Sequence, residues 1–362
     1  MFLLTGCAER TNLEDLGLQT AIGFDLQNDG KVLGTSVLHH FKYLGKSPSQ
    51  VLVAKADTVK GFRQAMNLKT SKKLVSGQIR IALYGEETAK KGLIRFMDSI
   101  SRDPKIGTML FLAVAKGTAN DILSYPYKDI ENIGLYINET LEQNINGEQI
   151  VSSTLHEVIN DYHTDGQDFV LPYLIREKDK VNIEGLAIFQ MDKMIGTMKP
   201  REGFYLKILR DRFDAGELEL VLPSKELKKS VKGIEIPKKI NINIDNIRST
   251  SKIELVNKEK PEFDINIKLT LNIQEISEEI DLNKPETMKI LTKLINEAFE
   301  KESNTLIRKL QLLQTDPIGL GCLYNHSIRD KKLTSEKWYP LYKNAKINVH
   351  FHTKIMGAGV MD

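Results

Sequence analysis

The C-terminal third of the chain constrains the fold most. Ile240, Ile242 and Ile244 alternate with polar residues, as do Ile265, Ile267, Leu269, Leu271 and Ile273, and again Ile347, Val349 and Phe351. Successive side chains of a strand point to opposite faces, so strict alternation makes one face apolar and leaves the other wet. Between the second and third of these segments runs the longest helical pattern, about 285–313. Met288, Leu291, Ile295, Phe299, Leu306, Leu310 and Leu313 form its apolar stripe. Asn283 is placed to cap this helix, with Pro285 in the first turn and Glu286 at a capping-box position. An apolar stripe and an apolar sheet face bury each other, so residues 224–362 are expected to form an α+β layer with the helix on an antiparallel sheet.

Upstream the signals are shorter and mixed. A β-hairpin is expected over 17–41, with Leu18, Ile22 and Phe24 leading into Asn28-Asp29-Gly30, and Val32, Leu33, Val37 and Leu38 returning. Residues 58–75 read as helix, 75–84 as strand, and 86–102 as an amphipathic helix with Ala89, Leu93, Phe96, Met97 and Ile100 on one face and Pro104 beyond its end. The most apolar run, Met109 to Ala115, is far short of the ~20 residues that cross a bilayer and reads as a buried strand. Gly117 to Leu123 opens a short helix, and 130–145 and 148–163 give two more. This alternation predicts a mixed α/β N-terminal domain over 8–175. A small β-rich middle domain is expected over 176–223, from strands at Ile183–Phe189, Met194–Met198 and Leu218–Leu222 and a short helix at Gly203–Phe213. The Lys-rich stretch 223–239, with Pro223 and Pro237, reads as a loop. The expected class is α+β, in three mixed α/β domains.

Chemistry is hard to find. The chain carries 51 basic and 48 acidic residues, a net charge of +3, too balanced to argue for nucleic acid. His39 and His40 in a strand point to opposite faces and share no metal. His156-Glu157 opens a zincin pattern, but the next histidine is His163, at the wrong spacing. His350 and His352 share a strand face without a third ligand at readable spacing, and alternation places them on the wet side. Lys116-Gly117-Thr118 echoes a phosphate loop with its Lys and Gly reversed. Cys322 is expected as a small buried residue, and Trp338, beside Tyr339 and Pro340, as a core plug. No catalytic, cofactor or metal residue is assigned.

Leu4-Thr5-Gly6-Cys7 has the order of a bacterial lipobox, which makes Cys7 the candidate lipidation site. Six residues precede it and none is basic, whereas a secretory signal has a basic start and about 7–15 apolar residues. The same four residues also read as an ordinary apolar N-terminus. A start further upstream would supply the missing part.

Taken in order, several segments resemble the Ger(x)C family of spore germination lipoproteins, the C subunits of nutrient germinant receptors. They are the lipobox, Ser101-Arg-Asp-Pro104, Ala115 to Leu123, Glu184 to Phe189 with Asp192 to Gly196, and Asp316-Pro-Ile-Gly-Leu-Gly321 with Trp338 and Gly357. Ala8 and Glu9 depart from the Trp-Asp of many relatives. The resemblance implies a non-enzymatic protein without cofactors, anchored through acylated Cys7 to the outer face of the spore inner membrane. Its implied partners are the integral-membrane A and B subunits, with which it couples germinant sensing to germination. A solute-binding lipoprotein, with a cleft between two lobes, is the alternative. An extracytoplasmic hydrolase would need a convergent nucleophile and base.

Overall fold

The computed structural model describes residues 12–39, 49–147, 149–211, 214, 216–227, 237–328 and 333–358. The lipobox with Cys7, His40 and most of the Lys-rich loop lie outside them.

The predicted hairpin is present. β1 (Leu16–Leu26) and β2 (Val32–His39) pair antiparallel across a turn in which Gly30 takes φ 81. β3 (Ser49–Ala56), unmarked by alternation, pairs with β2, and α1 (Val59–Asn67) follows under a Thr58 cap. β4 (Lys73–Val75) and β5 (Ile81–Gly85) both run parallel to β1. The helix expected over 86–102 is two, α2 (Glu86–Lys91) and α3 (Ile94–Ser101). It breaks at Gly92, φ 119, where Asp192 approaches: the Leu93 N–H donates to the Asp192 carbonyl and the Ile94 N–H to its carboxylate.

β6 (Phe111–Ala115) lies parallel to β5, and three helices follow, α4 (Ala119–Leu123), α5 (Ile133–Asn146) and α6 (Leu155–His163). α6 starts seven residues later than the pattern suggested, because Thr154 and Glu157 close a capping box there. β7 (Val170–Glu177) is parallel to β6 and opens an antiparallel meander with β8 (Lys180–Gln190) and β9 (Lys193–Met198). The sheet order is β3-β2-β1-β5-β6-β7-β8-β9, with β4 also on β1. The parallel centre is covered on both faces, as parallel sheets require. Ile22, Phe24, Ala82, Tyr84, Leu112 and Val114 pack toward α1, α3 and α6. Ala21, Ile81, Leu83, Ala113 and Ala115 pack toward α4 and α5.

The three strands expected to form a middle unit are divided between two sheets. β8 and β9 prolong the first sheet, because the tight turn at Lys178 (φ 53) sets β8 beside β7. After α7 (Pro200–Arg210), β10 (Leu218–Pro223) is the outer strand of a second sheet, ordered β10-β11-β12-β13. Its long hairpin is β11 (Lys239–Asn257) and β12 (Glu262–Ile276). Inward residues of β11 switch from even to odd positions, Ile240, Ile242 and Ile244 and then Ile247 and Ser249. A bulge with Asn246 at φ 48 makes that switch and keeps the apolar set inside.

α8 (Pro285–Leu313) lies on the inner face, with Leu291, Ile295, Phe299, Leu306 and Leu310 buried. Its cap is Lys284, not Asn283, and no side chain caps it. α9 (Leu320–Ser327) and α10 (Ser335–Lys343) lead to β13 (Lys346–Ala358). β10, β11 and β12 are antiparallel as expected, while β13 pairs with β12 in parallel. The crossover through α8 to α10 brings the chain back to enter β13 in the direction of β12. α7 bridges the two layers: Tyr205 meets Phe299 edge to face at 5.7 Å, and one apolar core runs from the first sheet's α4–α5 side to the second sheet.

Candidate functional site

A parallel sheet offers its binding crevice beyond the carboxyl ends of its strands. Here that crevice is filled by the chain itself. Asp25, at the end of β1, accepts from the Ala119 N–H at 2.8 Å and the Asn120 N–H at 2.9 Å, the two donors opening α4. Burial raises the pKa of Asp25 and these two bonds oppose the rise. Gly85 makes room, since a Cβ there would lie 2.1 Å from an Asp25 carboxylate oxygen. Around it, Lys116 pairs with Glu184 at 2.8 Å, and Glu86 takes Lys90 at 2.8 Å and the Tyr173 hydroxyl at 2.8 Å. The phosphate-loop echo at Lys116-Gly117-Thr118 is thus a helix start that holds a carboxylate from its own chain.

A second buried polar cluster lies where the two layers meet. Asp168, just before β7, is 1% exposed. One of its carboxylate oxygens accepts from the Met191 N–H (2.7 Å) and the Tyr339 hydroxyl (2.8 Å), the other from the Asp316 N–H (2.8 Å) and the Thr315 hydroxyl (3.2 Å). Asp316, just after α8, is fully buried. Its oxygens accept from the Gly319 N–H (2.9 Å), the Gly321 N–H (2.8 Å) and the Trp338 indole N–H (2.9 Å). The Asp168 N–H returns a bond to the Asp316 carbonyl at 3.0 Å. Burial raises both carboxyls, Asp316 to about 7, against the pull of the donors.

Gly321, which ends Asp316-Pro-Ile-Gly-Leu-Gly321, is dictated by this contact. A Cβ on Gly321 would lie 2.5 Å from the Trp338 nitrogen and 2.6 Å from the Gly166 carbonyl oxygen, and one on Gly166 (φ 84) would strike the Gly321 backbone at 2.5 Å. Nearby, Asp161 on α6 pairs with Arg210 at the end of α7 (3.1 Å) and accepts from Gln167 (2.6 Å), and burial lifts its pKa to about 6. These polar contacts hold α6, β7, the β8–β9 turn, the end of α8 and α10 together.

Trp338 is buried as expected, with Tyr342 and Tyr324 against it. Cys322 is half-exposed rather than buried, its sulfur 3.6 Å from His326 Nδ1 and its pKa raised, chiefly by burial. Glu157 is spent on the α6 capping box, while His156 and His163 are exposed. His350 and His352 stand exposed on one face of β13. Among the described residues no group of three or more His, Cys, Asp or Glu side chains is placed to hold a metal ion. The sequence reading missed Asp25, Asp168 and Asp316 as anchors. The readable signal was a lone carboxylate beside a buried aromatic, Phe24-Asp25 and Asp168-Phe169.

Comparison with known proteins covers nearly all of the chain. Residues 9–176 match the spore germination protein N-terminal domain, and residues 184–359 match the spore germination B3/GerAC-like C-terminal domain. Spore germination protein GerQC of Bacillus cereus is 26% identical, over 99% of this chain and 96% of its own length. Spore germination protein KC of Bacillus subtilis is 20% identical, over 89% of this chain and 84% of its own. The crystal structure of the GerBC protein shares the fold at a TM-score of 0.53 with 16% identity, covering 95% of this chain and all of that one.

Proposed function

Since the chain belongs to the GerAC-like family of spore germination proteins, we propose that it is the C subunit of a nutrient germinant receptor. In this reading it is anchored by acylated Cys7 to the outer face of the spore inner membrane and assembles there with integral-membrane A and B subunits. It couples germinant sensing by the complex to germination and has no chemistry of its own. The observation that carries the reading is the two family domains in tandem, from residue 9 to residue 359.

The fold is compatible with a scaffold. Among the described residues no helix is long and apolar enough to cross a membrane. In this reading attachment runs through the lipobox. Two or more acyl chains hold a protein stably where one alone is marginal. Tethering also raises the effective concentration of the folded part beside its membrane partners, so modest contacts suffice. The alternative, a solute-binding lipoprotein, wants an open cleft between lobes. The place where these layers meet is occupied by the interlocked Asp168, Asp316 and Trp338.

The test uses spores that carry the full-length gene product with Cys7 or with Cys7→Ala. The expected result is an acylated Cys7 by intact mass, co-purification with both membrane subunits, and loss of nutrient germination together with membrane attachment in the Ala variant. An unmodified Cys7 with nutrient germination intact in the variant would sink the anchored-subunit reading.

A further inference from the structure

The described chain enters at one pole of the first sheet. Leu13-Glu14-Asp15 make a single 3-10 turn ahead of β1. The loop after α1, Leu68 to Lys72, lies beside it: the Lys72 ammonium donates to the Glu14 carbonyl, and Leu16 pairs with Lys73 where β4 joins β1. Two apolar side chains stand in water here. Leu68 is 87% exposed, more than any other large apolar side chain described, and Leu13 is 52% exposed. Lys69, Lys72 and Lys73 belong to the same loop and strand start, with Lys69 reaching the Val53 carbonyl at 2.7 Å. Among the described residues of this turn, loop and strand start, Glu14 and Asp15 are the exposed carboxylates, set against Lys69, Lys72 and Lys73.

Cys7 lies only five positions before Asn12, a reach of at most about 18 Å for a fully extended chain. We infer that this pole, presenting Leu13, Leu68, Lys69, Lys72 and Lys73, rests against an anionic lipid surface. The inference rests on the proposed acylation of Cys7. A tether that short leaves the pole at the interface whatever else the protein does. Leucines there enter the boundary between headgroups and acyl chains, and lysines draw anionic headgroups. A lipid anchor gains a second attachment in this way, and the folded part gains a fixed orientation, where an anchor alone would let it tumble.

The test couples Cys7 of the full chain, in a Cys322→Ala background, to a maleimide-headgroup lipid in phosphatidylglycerol-rich vesicles. Leu68→Trp reports on the pole and His352→Trp, on the outer face of the second sheet, serves as the distant control. The expected result is a blue shift and quenching of Leu68→Trp by doxyl-labelled lipid, with His352→Trp left unquenched. Adding Lys69→Glu, Lys72→Glu and Lys73→Glu lowers the ratio of seated to lifted molecules by roughly tenfold or more, and neutral phosphatidylcholine vesicles lower it as well. Circular dichroism checks that each variant is folded. Equal quenching at positions 68 and 352, or quenching indifferent to charge reversal and lipid charge, overturns the inference. Because the coupling is chemical, a negative result speaks of the pole alone, while the mass of Cys7 from cells speaks of acylation.

Discussion

The two sheets of this protein bury themselves by opposite means. The first has a parallel centre under helices on both faces, and its strand ends are closed by the chain's own charges, with Asp25 on the start of α4 and Glu86 held by Lys90 and Tyr173. The second is covered on one face by α7 and α8 and leaves the other wet, where Lys268 and Lys354 stand exposed with His350 and His352. Even its outer edge is guarded, since Glu300 and Asn296 of α8 accept the Phe351 and Thr353 N–H groups of β13. The outer face of the second sheet is therefore open to a partner, while the strand-end crevice where α/β proteins usually bind ligands is filled.

If the Asp168–Asp316 junction makes these unlike layers one cooperative body, removing its aromatic centre should give the largest effect. Trp338→Ala deletes a fully buried indole and takes one of the three donors from Asp316. The expected loss is about 3–5 kcal/mol. Urea unfolding followed by circular dichroism should show it, and a single transition split into two would show that the junction carries the coupling. A loss under about 1 kcal/mol would remove Trp338 from that role. Ile267→Ala, on the inner face of β12, comes next at about 2–5 kcal/mol, because the cavity lies under α8 in a close-packed core. In the first sheet, Asp25→Ala leaves the buried Ala119 N–H and the half-buried Asn120 N–H of α4 without their acceptor, and about 1–3 kcal/mol is expected by the same measurement.

This contrast also separates what the sequence told from what it hid. One wet face writes alternation into the chain, so the residues of β11, β12 and β13 and the stripe of α8 were legible. The central strands of the first sheet are buried on both sides and carry no period, so β7 passed unnoticed and β3, at the edge, showed no pattern either. The break at Gly92 was hidden because it depends on Asp192, 100 residues away in the chain. The bulge at Asn246 and the parallel entry of β13 are set by tertiary context in the same way. Of the buried anchors, Asp316 stood in a segment noticed only for its family likeness. That Gly321 fits against Gly166 and Trp338 is a fact of packing between segments distant in sequence.

The buried aspartates differ from the half-buried glutamates in how they should answer pH. Burial lifts Asp316 to about 7, above the ordinary Asp value of 3.8, so the folded state holds this proton more tightly than the unfolded chain. Its contribution is then full below about pH 4 and fades as pH rises through about 7. Glu86 and Glu157 are shifted down, so their contributions hold above the ordinary Glu value of 4.5 and fade in acid below it. Unfolding free energies from pH 5 to 8 should fall with rising pH by up to about 1 kcal/mol per unit from Asp316. Asp316→Asn should flatten this slope, at a general loss of about 1–3 kcal/mol, because an amide NH₂ faces donors. An unchanged slope would place the titration elsewhere.

The smallest effects belong on the wet face, and they test whether it is a face at all. His350→Ala and His352→Ala change exposed side chains on either side of Phe351, which is 3% exposed and packs 5.1 Å from Phe299. Alternation along one strand therefore predicts a sharp contrast at consecutive positions: within about 0.5 kcal/mol of wild type at either histidine, and about 3–5 kcal/mol lost for Phe351→Ala. Thermal and urea unfolding of the three variants measure it. The same two histidine variants, carried into spores, sharpen the comparison between the sheets. With stability unchanged, impaired germination would mark the outer face of β12 and β13 as a surface that touches another molecule. Unaffected germination would leave these two histidines as solvated positions.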